Sequence, residues 1–319
     1  MADSSQAPTK NPVVSVVMAV YNGMPFLQQA VESVLIQTLE DFEFIVVDDG
    51  STDQTSRYLR SISDPRLILF HQSNQGQQAA ANLAISHARG KYIARLDADD
   101  FAFENRLEKQ AAFLNANPDV VMVGSQISRM GASGVSGVES NLPTQHKAIY
   151  DELIENRHAM CNSSTMFRKS AFVQCGGYWD HSVSEDWDLF LRFAEIGKLA
   201  NINETLTSMR FHSGSINARR MLEAQQYNLY ACELARRRTE GLNAISFEEF
   251  DGRNSISKRF KMFLMRLDCA SLHYYRNGMA NLLDGNRLRG YLQLMAAITF
   301  NPNRLRHRLS RFLFQSSRS

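Results

Sequence analysis

The sequence predicts an α/β protein built on a parallel sheet flanked by helices, with a helical appendage at its C-terminal end. Three observations point there. Apolar, β-branched runs alternate with helix-periodic stretches through roughly the first hundred residues. Two of those runs end in acidic clusters, Asp48-Asp49-Gly50-Ser51-Thr52-Asp53 and Asp97-Ala98-Asp99-Asp100, and a third ends in the polar Tyr21-Asn22-Gly23. Helical patterns without strands then take over after about residue 217.

Taken in order, Val13 to Val20 follows Pro12 and is rich in valine, which suits a strand covered on both faces. Phe26, Leu27, Ala30, Val31, Val34 and Leu35 share one helical stripe, and Pro25 suits the first turn of that helix. Phe42 to Val47 reads as the second strand, Tyr58, Leu59 and Ile62 as a short helix, and Leu67 to Phe70 as the third strand. Ala79, Ala80, Leu83, Ala84 and Ala88 line the next helix, which leads into a strand over Tyr92–Leu96. Alternation at this pace predicts parallel neighbours joined by right-handed crossovers. Gly131 to Gly137 is a run of small residues between apolar strands, expected to be a mobile loop or a hairpin. Trp187, Phe190, Leu191 and Ala194 mark the buried stripe of a helix over Trp187–Ile196. Two further helical stretches, Arg219 to Arg238 (Leu222, Leu229, Leu234) and Lys258 to Arg276 (Phe260, Phe263, Leu264, Leu267, Leu272), are joined by Glu240–Ser257.

Ligands of such sheets sit beyond the carboxyl ends of the strands, where both acidic clusters and Tyr21-Asn22-Gly23 fall. Three acids within four residues repel one another. An ordinary charged turn is one reading of Asp97–Asp100. The other is a site for Mg²⁺ or Mn²⁺ beside a phosphorylated ligand, because these cations take hard oxygen donors. Three strand ends delivering polar groups to one rim favour the second. No Gly-x-Gly-x-x-Gly follows the first strand and no Gly-Lys-Ser/Thr occurs, which excludes the backbone phosphate cradles of dinucleotide-binding domains and P-loops. The expected ligand is a nucleoside diphosphate whose phosphates bridge a cation.

Val-Ser-Val-Val-Met-Ala-Val-Tyr-Asn (14–22), Val-Val-Asp-Asp-Gly-Ser-Thr-Asp (46–53), Asn-Gln-Gly (74–76) and Ala-Arg-Gly-Lys-Tyr-Ile-Ala-Arg-Leu-Asp-Ala-Asp-Asp (88–100) resemble the family 2 glycosyltransferases. The resemblance continues through Arg106–Gln110, Gly176-Gly177-Tyr178, Ser184–Leu189 and Arg210–Ser215, covering roughly residues 13 to 216. It is strongest to bacterial enzymes of O-antigen, capsule and exopolysaccharide synthesis. It implies the A-type glycosyltransferase fold, a Rossmann-like mixed, mostly parallel sheet flanked by helices, and inverting transfer from a nucleotide-diphospho-sugar, expected to be a UDP-sugar. The acceptor implied is a hydroxyl of a glycan or lipid-linked molecule, and the cofactor Mg²⁺ or Mn²⁺.

Residue by residue, the resemblance implies that Ala19, Tyr21 and Asn22 hold base and ribose together with Asp49, an Asp accepting the N3–H of a uracil-like ring. Asp48 is the alternative within that pair. Asp97 would face ribose and diphosphate, Asp99 would ligate the metal, and His212 would reach the metal or diphosphate from the loop after the late strand. A surface loop histidine is the plain alternative for His212. Arg95 either steadies the acidic loop or neutralises Asp97. Glu185-Asp186 also has two readings. Acids at a helix start favour the positive end of its dipole, and an Asp held there can take the proton of an acceptor hydroxyl. The family pattern puts the base at Asp186, with Glu185 orienting it or binding acceptor, and Asp188 structural. Ala81 stands where many relatives carry Arg, and Asn162 near where many carry His, so sugar identity and linkage stay open.

The net charge of +2 on 319 residues argues against nucleic acid as a partner. Charge is unevenly placed, however. No acid follows Asp284, while Arg287, Arg289, Arg304, Arg306, Arg308, Arg311 and Arg318 accumulate among apolar residues. Tyr291–Phe300 is too short to span a bilayer. This tail is expected either to lie on an anionic membrane surface or to pack on the core with its arginines solvated. Met1 to Asn11 is polar and has no apolar signal-peptide segment. The expected organisation is a disordered lead over 1–12, a catalytic domain over 13–216 and a helical region over 217–319. Cys161, Cys175, Cys232 and Cys269 lack metal-ligand spacing, and a cytoplasmic location, peripheral on the inner face of the membrane, is expected. Two other classes compete. A sugar nucleotidyltransferase would show a Gly-rich, Arg-Lys-containing loop after the first strand, unlike Tyr21–Pro25. A non-catalytic binding relative would be expected to have lost one of Asp97, Asp99, Asp186 and His212.

Overall fold

The computed structural model describes residues 11–134, 136–179, 184–211, 220–252 and 257–301, with Ser136, Val138, Glu185, Gly252 and 257–264 as backbone only. Two compact units emerge, Met1–Ile127 with Asn141–Thr207, and Ser128–Ser140 with Ser208–Ser319.

In the first unit the valine-rich runs form four parallel strands: β1 (Val14–Val20), β2 (Phe42–Asp48), β3 (Leu67–His71) and β4 (Tyr92–Arg95), in the order β3-β2-β1-β4. Every residue of β2 and β4 is buried, as continuous apolar runs require in a sheet covered on both sides. The sheet continues from β4 through β8 (Met166–Arg168), β6 (Val120–Met130), β9 (Lys198–Arg210) and the two-residue β5 (Phe101–Ala102). β8 runs antiparallel to both β4 and β6, so the sheet is mixed as expected. The crossover helices are α1 (Leu27–Leu35), α2 (Thr55–Arg60) and α3 (Gln77–His87), followed by α4 (Arg106–Ala116), α5 (His146–Ile154), α6 (Lys169–Gln174) and α7 (Glu185–Ile196).

Two expectations need correction. Pro25 precedes α1 instead of opening it: the N–H groups of Phe26 and Leu27 both donate to Gly23 O, at 3.1 and 3.0 Å, and this turn delays the helix to Leu27. The buried side of α7 is also wider than the predicted stripe. Leu189 and Phe193 are fully buried beside Trp187, Phe190 and Leu191, whereas Ala194 is only half-buried. Phe193 packs on Phe167 of β8 at 5.3 Å between ring centres, which encloses the helix.

A polar clamp closes the amino ends of the strands. Glu43 Oε1 accepts from Ser15 Oγ and from Arg89 N, both at 2.6 Å, and Oε2 pairs with the Arg89 guanidinium at 2.8 Å. Gly90 N completes the clamp by donating to Ser15 Oγ at 2.8 Å. A Cβ at Gly90 would sit 2.5 Å from Ser15 N, so only glycine allows this approach.

In the second unit, β7 (Ser136–Glu139) turns back antiparallel on the end of β6, closed by Gly134 N donating to Gly131 O at 3.1 Å. The glycine-rich stretch is therefore a hairpin. Helices α8 (Met221–Thr239), α9 (Phe247–Gly252), α10 (Ser257–Leu283) and α11 (Arg287–Phe300) follow. The expected stripe of α8 is shifted: Leu229 is exposed, and Tyr230, Ala231, Leu234 and Ala235 form the buried side. The connector carries α9, which stacks Phe247 on Tyr227 at 4.6 Å. Helices α10 and α11 fold back on each other around Tyr275, Met279, Leu294 and Ala297. Ser133 N and Oγ donate to Asp284 Oδ1 at 2.9 and 2.7 Å, tying the hairpin to the α10–α11 turn. Among the described residues no helix is long and apolar enough to cross a membrane.

Candidate functional site

Parallel pairing sets Val20 level with Asp48, so β1 and β2 deliver their polar ends to one rim. There Asn22 is a brace. Held at φ 52°, it donates from its N–H to Ser51 Oγ at 2.9 Å, and its Oδ1 accepts from Thr52 N at 2.8 Å and Asp53 N at 3.3 Å. Gly23 N adds a bond to Thr55 Oγ1 at 2.9 Å. Tyr21 is left exposed beside it, and the small Ala19 is half-buried near the end of β1.

The paired acids after β2 are both buried and both hydrogen-bonded. Asp48 Oδ1 accepts from Ser51 N at 3.0 Å, while Oδ2 accepts from Ser56 Oγ and lies 3.4 Å from His71 Nδ1. Burial pushes the Asp48 carboxyl up, but the bonds from Ser51, Ser56 and His71 outweigh it and hold the group below the usual range. Asp49 faces the next loop: Oδ1 accepts from Gln72 Nε2 at 2.7 Å and Gln75 N at 2.9 Å, and Oδ2 from Gly76 N at 2.9 Å. Gly50 between these loops has φ +78°, and a Cβ there would meet Asn74 N at 2.8 Å.

The acidic loop after β4 hangs from a buried scaffold. Arg95 N donates to Thr165 O at 2.9 Å and Asp97 N to Ser163 Oγ at 3.0 Å, so the turn before β8 (Asn162–Ser164) lies alongside the loop. The Arg95 guanidinium is fully buried and reaches Asp97 Oδ1 at 3.5 Å. Below it, Arg106 of α4 donates from Nη2 to Arg95 O at 2.6 Å and Thr165 O at 3.1 Å, and from Nε to Gln110 Oε1 at 3.0 Å. Gln110 Nε2 in turn donates to Ser164 O at 2.6 Å. Arg106 is almost wholly buried, which lowers its pKa to about 10 against the opposing charges of Asp100 and Asp97. It therefore keeps its charge at neutral pH.

Asp186 arrives from α7. Ser184 enters the helix in the left-handed region at φ 62°, and Asp186 Oδ1 accepts from Trp187 N at 2.9 Å. The helix is anchored behind this point by Trp187 Nε1 donating to Leu153 O at 3.2 Å. Asp188 pairs with Arg192 at 2.7 Å, and Arg192 Nη2 donates to Gly177 O at 2.8 Å, so Asp188 ties the helix to the Gly176-Gly177-Tyr178 loop. Asn82 of α3 grips the same loop through both backbone groups of Tyr178, at 2.9 and 3.1 Å.

Electrostatics places Asp97 and Asp186 in one cluster. Burial first, then the Asp97 charge, push Asp186 up to about 6, against hydrogen bonds from Trp187 and the attraction of Arg95. Burial also raises Asp97, which Arg95 opposes and the Asp99 charge adds to. The Cys161 thiol is driven up by burial and by Asp100, Asp97 and Asp186, so it stays protonated and is no nucleophile.

The donor set fits a hard divalent cation. Asp97 and Asp99 are neighbouring carboxylates, with ionisation of Asp97 disfavoured by burial first and by the Asp99 charge in addition. Mg²⁺ or Mn²⁺ is ordinarily held by one or two carboxylates plus phosphate oxygens and water. Among the described residues no cluster of three or more acids, histidines or cysteines is assembled for a metal. His212 and the Glu185 side chain lie outside the described residues. Reading the sequence assigned no role to Ser163, Gln72, Arg106 or Gln110. A buried Arg and Gln four apart on one helix was the available signal for the last two.

The model of the family described as "Glycosyl transferase family 2" matches residues 15–176. EpsE of Bacillus subtilis (strain 168), a glycosyltransferase by name, is 36% identical over 218 residues, 65% of this chain and 76% of EpsE. The amylovoran biosynthesis glycosyltransferase AmsE of Erwinia amylovora is 27% identical over 236 residues, 70% of this chain and 87% of AmsE. Two solved structures share the fold at 16% identity: S. aureus TarS 1–349 in complex with UDP-GlcNAc, with TM-score 0.55 over 90% of this chain and 88% of that one, and the mannosyltransferase PcManGT of Pyrobaculum calidifontis in complex with GDP-Man and Mn²⁺, with TM-score 0.52 over 94% and 89%.

Proposed function

The chain belongs to glycosyl transferase family 2, and from that premise we propose that it transfers a sugar, with inversion, from a nucleotide-diphospho-sugar to a hydroxyl of a glycan or lipid-linked acceptor in surface polysaccharide synthesis. The observation that carries this reading is that Asp97, just past the end of β4, and Asp186, at the start of α7, are near enough for the Asp97 charge to act on Asp186. It puts a half-buried carboxylate with a pKa of about 6 beside the donor-phosphate loop, close to the value that favours a general base at neutral pH.

Asp186 Oδ1 is engaged by Trp187 N–H, so Oδ2 takes the acceptor proton as the hydroxyl oxygen bonds the anomeric carbon. The diphosphate leaves with the electrons of the broken bond on the opposite side. A divalent cation held by Asp99, with His212 as a further ligand, supplies charge neutralisation to that leaving group when bound. Asp97 faces the ribose and diphosphate, and Ser163 and Arg95 fix its position. For the base, Asp49 is the stronger candidate of its pair. Asp48 engages Ser51 with one oxygen and Ser56 and His71 with the other, whereas Asp49 Oδ2 accepts one bond, from Gly76, and can accept a ring N–H. Ala19 and Tyr21 border the base and ribose, and Asn22 shapes that edge by holding the loop after β2. Glu185, next to Asp186 in the chain, orients that carboxylate or binds the acceptor. The solved complexes with UDP-GlcNAc and GDP-Man support a nucleotide-diphospho-sugar donor, the latter with Mn²⁺. The AmsE name supports a polysaccharide product. An acceptor carried on lipid would place the reaction at the cytoplasmic face of a membrane, in peripheral contact with anionic headgroups.

The test is release of nucleoside diphosphate and sugar transfer across UDP- and GDP-sugars with Mn²⁺, in the wild type and in Asp186→Asn. One nucleotide class should turn over. Asp186→Asn should keep nucleoside diphosphate affinity within a few-fold while transfer falls by roughly 10²–10⁴. Near-wild-type transfer by that variant would remove Asp186 as the base.

A further inference from the structure

Helix α11 has two apolar faces, and α10 covers one of them. Leu294 and Ala297 are 6% and 0% exposed in the core with α10. Gly290 lets the helices approach so closely that a Cβ there would lie 2.7 Å from the Leu282 side chain. On the other side Leu288, Tyr291, Leu292 and Met295 are 77, 59, 63 and 63% exposed. Their spacing of i, i+3, i+4 and i+7 puts all four on one helical stripe. Scattered surface leucines are ordinary, but four large apolar side chains in one row mark a contact surface.

We propose that this outer face of α11 docks on an anionic lipid surface, with the stripe entering the boundary between headgroups and acyl chains. Charge chooses this occupant. Arg287 and Arg289 are exposed at the start of the stripe. From Arg287 to the end of the chain the sequence holds seven arginines and neither Asp nor Glu. A second copy meeting this face about a two-fold axis would bring like charges together, whereas acidic lipids supply both negative headgroups and an apolar layer. At 14 residues α11 suits lying in the interface plane and cannot span it. Docking leaves the α10–α11 core intact because that core uses the opposite face. The inference deepens the peripheral contact proposed above by naming the surface that makes it. It does not depend on the transfer chemistry.

The experiment is co-sedimentation of the full chain with vesicles of phosphatidylglycerol and phosphatidylethanolamine, against vesicles of phosphatidylcholine. It uses the wild type, the triple variant Leu288→Ser, Leu292→Ser, Met295→Ser, the pair Arg287→Gln, Arg289→Gln, and a deletion of 302–319. The wild type should pellet with the anionic vesicles alone, and 0.5 M salt should weaken binding, since ~0.5 M shortens the screening length to about half its 0.1 M value. The triple variant should lose about tenfold or more in partition, and the arginine pair a smaller factor. Melting temperature should be unchanged in both, and nucleoside diphosphate release without vesicles should stay within about twofold of wild type. Wild-type partition by the triple variant overturns the proposal. Should the 302–319 deletion alone abolish binding, membrane contact survives and the α11 face falls. A wild-type dimer by light scattering that the triple variant turns into a monomer, with vesicle binding unchanged, would make the stripe a contact between copies instead.

Discussion

Four carboxylates and two arginines shape the chemistry at the end of β4. Asp97 feels the charge of Asp99 and acts in turn on Asp186, Asp100 acts on Arg106, and Arg95 and Arg106 sit buried among these acids as positive charges. Neither arginine can retreat into solvent, so the cluster is held short of full mutual repulsion until a cation and a diphosphate arrive. Asp99→Asn should abolish the Mn²⁺ dependence of nucleoside diphosphate binding, because an amide is a poorer ligand and carries no charge. Calorimetric titration with and without Mn²⁺ reads this, and unchanged metal dependence would sink the assignment. The raised pKa of Asp186 sets a pH limb for the proposed mechanism. A base at Asp186 works when deprotonated, so on that proposal the transfer rate should climb as pH rises through about 6 and level off above it. In Asp186→Asn the residual rate should lose that limb.

At the scale of elements, the acidic loop depends on α4. Arg106 and Gln110 together satisfy the carbonyls of Arg95, Thr165 and Ser164, linking the helix to the tip of β4 and the turn before β8. Loss of the Arg106 side chain would take its donors from Arg95 O and Gln110 Oε1, while Thr165 O keeps the Arg95 N–H. Leaving a buried acceptor without a donor costs about 1–3 kcal/mol. Arg106→Met should therefore lower the unfolding free energy by about 2–4 kcal/mol, read from denaturant midpoints. Nucleoside diphosphate affinity should fall with it, because Asp97 is carried by the same backbone. Arg106→Lys keeps the charge but lacks the planar fork that reaches two carbonyls, so it should recover only part of the loss. Helix α7 is built for a different demand. Enclosed on most sides and tied down through Trp187, Asp188 and Arg192, it holds Asp186 on a rigid mount. This is the geometry that a single proton transfer rewards.

Across the whole sheet, the proposed binding groups lie at the carboxyl ends of the parallel strands and the Glu43 clamp closes the opposite rim. Burial raises the Glu43 carboxyl, but bonds from Ser15 and Arg89 and the Arg89 charge hold it below 4.5. A carboxyl depressed in the folded state contributes its full stability above the unfolded pKa and loses it as pH falls through the folded value. Glu43→Gln should thus cost about 1.5–3 kcal/mol at pH 7, the range for charged hydrogen bonds. It should stay below the penalty for a fully buried pair, because Arg89 remains 39% exposed. Urea unfolding at pH 7 and in mild acid should show the gap between wild type and variant narrowing in acid. A gap independent of pH would mean that the clamp acts by shape alone.

The alternation of valine-rich runs with helical stripes was enough to place the four parallel strands, because buried strands must be continuously apolar and crossover helices must be amphipathic. The same logic located Tyr21–Gly23, Asp48-Asp49 and Asp97–Asp100 on one rim, since parallel strands point their ends the same way. Periodicity failed where tertiary contact decides. It made α7 one-sided, although Phe167 and Leu153 enclose it, and it missed the turn at Gly23 that delays α1. No pattern along the chain shows that Asn22 braces the loop after β2, or that Asp48 and Asp49 divide their oxygens between different loops. The sequence by itself determined the strand order's raw material, the rim and the residue types on it, through local hydrophobic pattern and chain direction. Only the tertiary structure decided which acids meet, because Asp97 and Asp186 stand 89 positions apart, and their proximity, and with it the raised pKa of Asp186, exists only once β8 lies against β4 and α7 packs on β8.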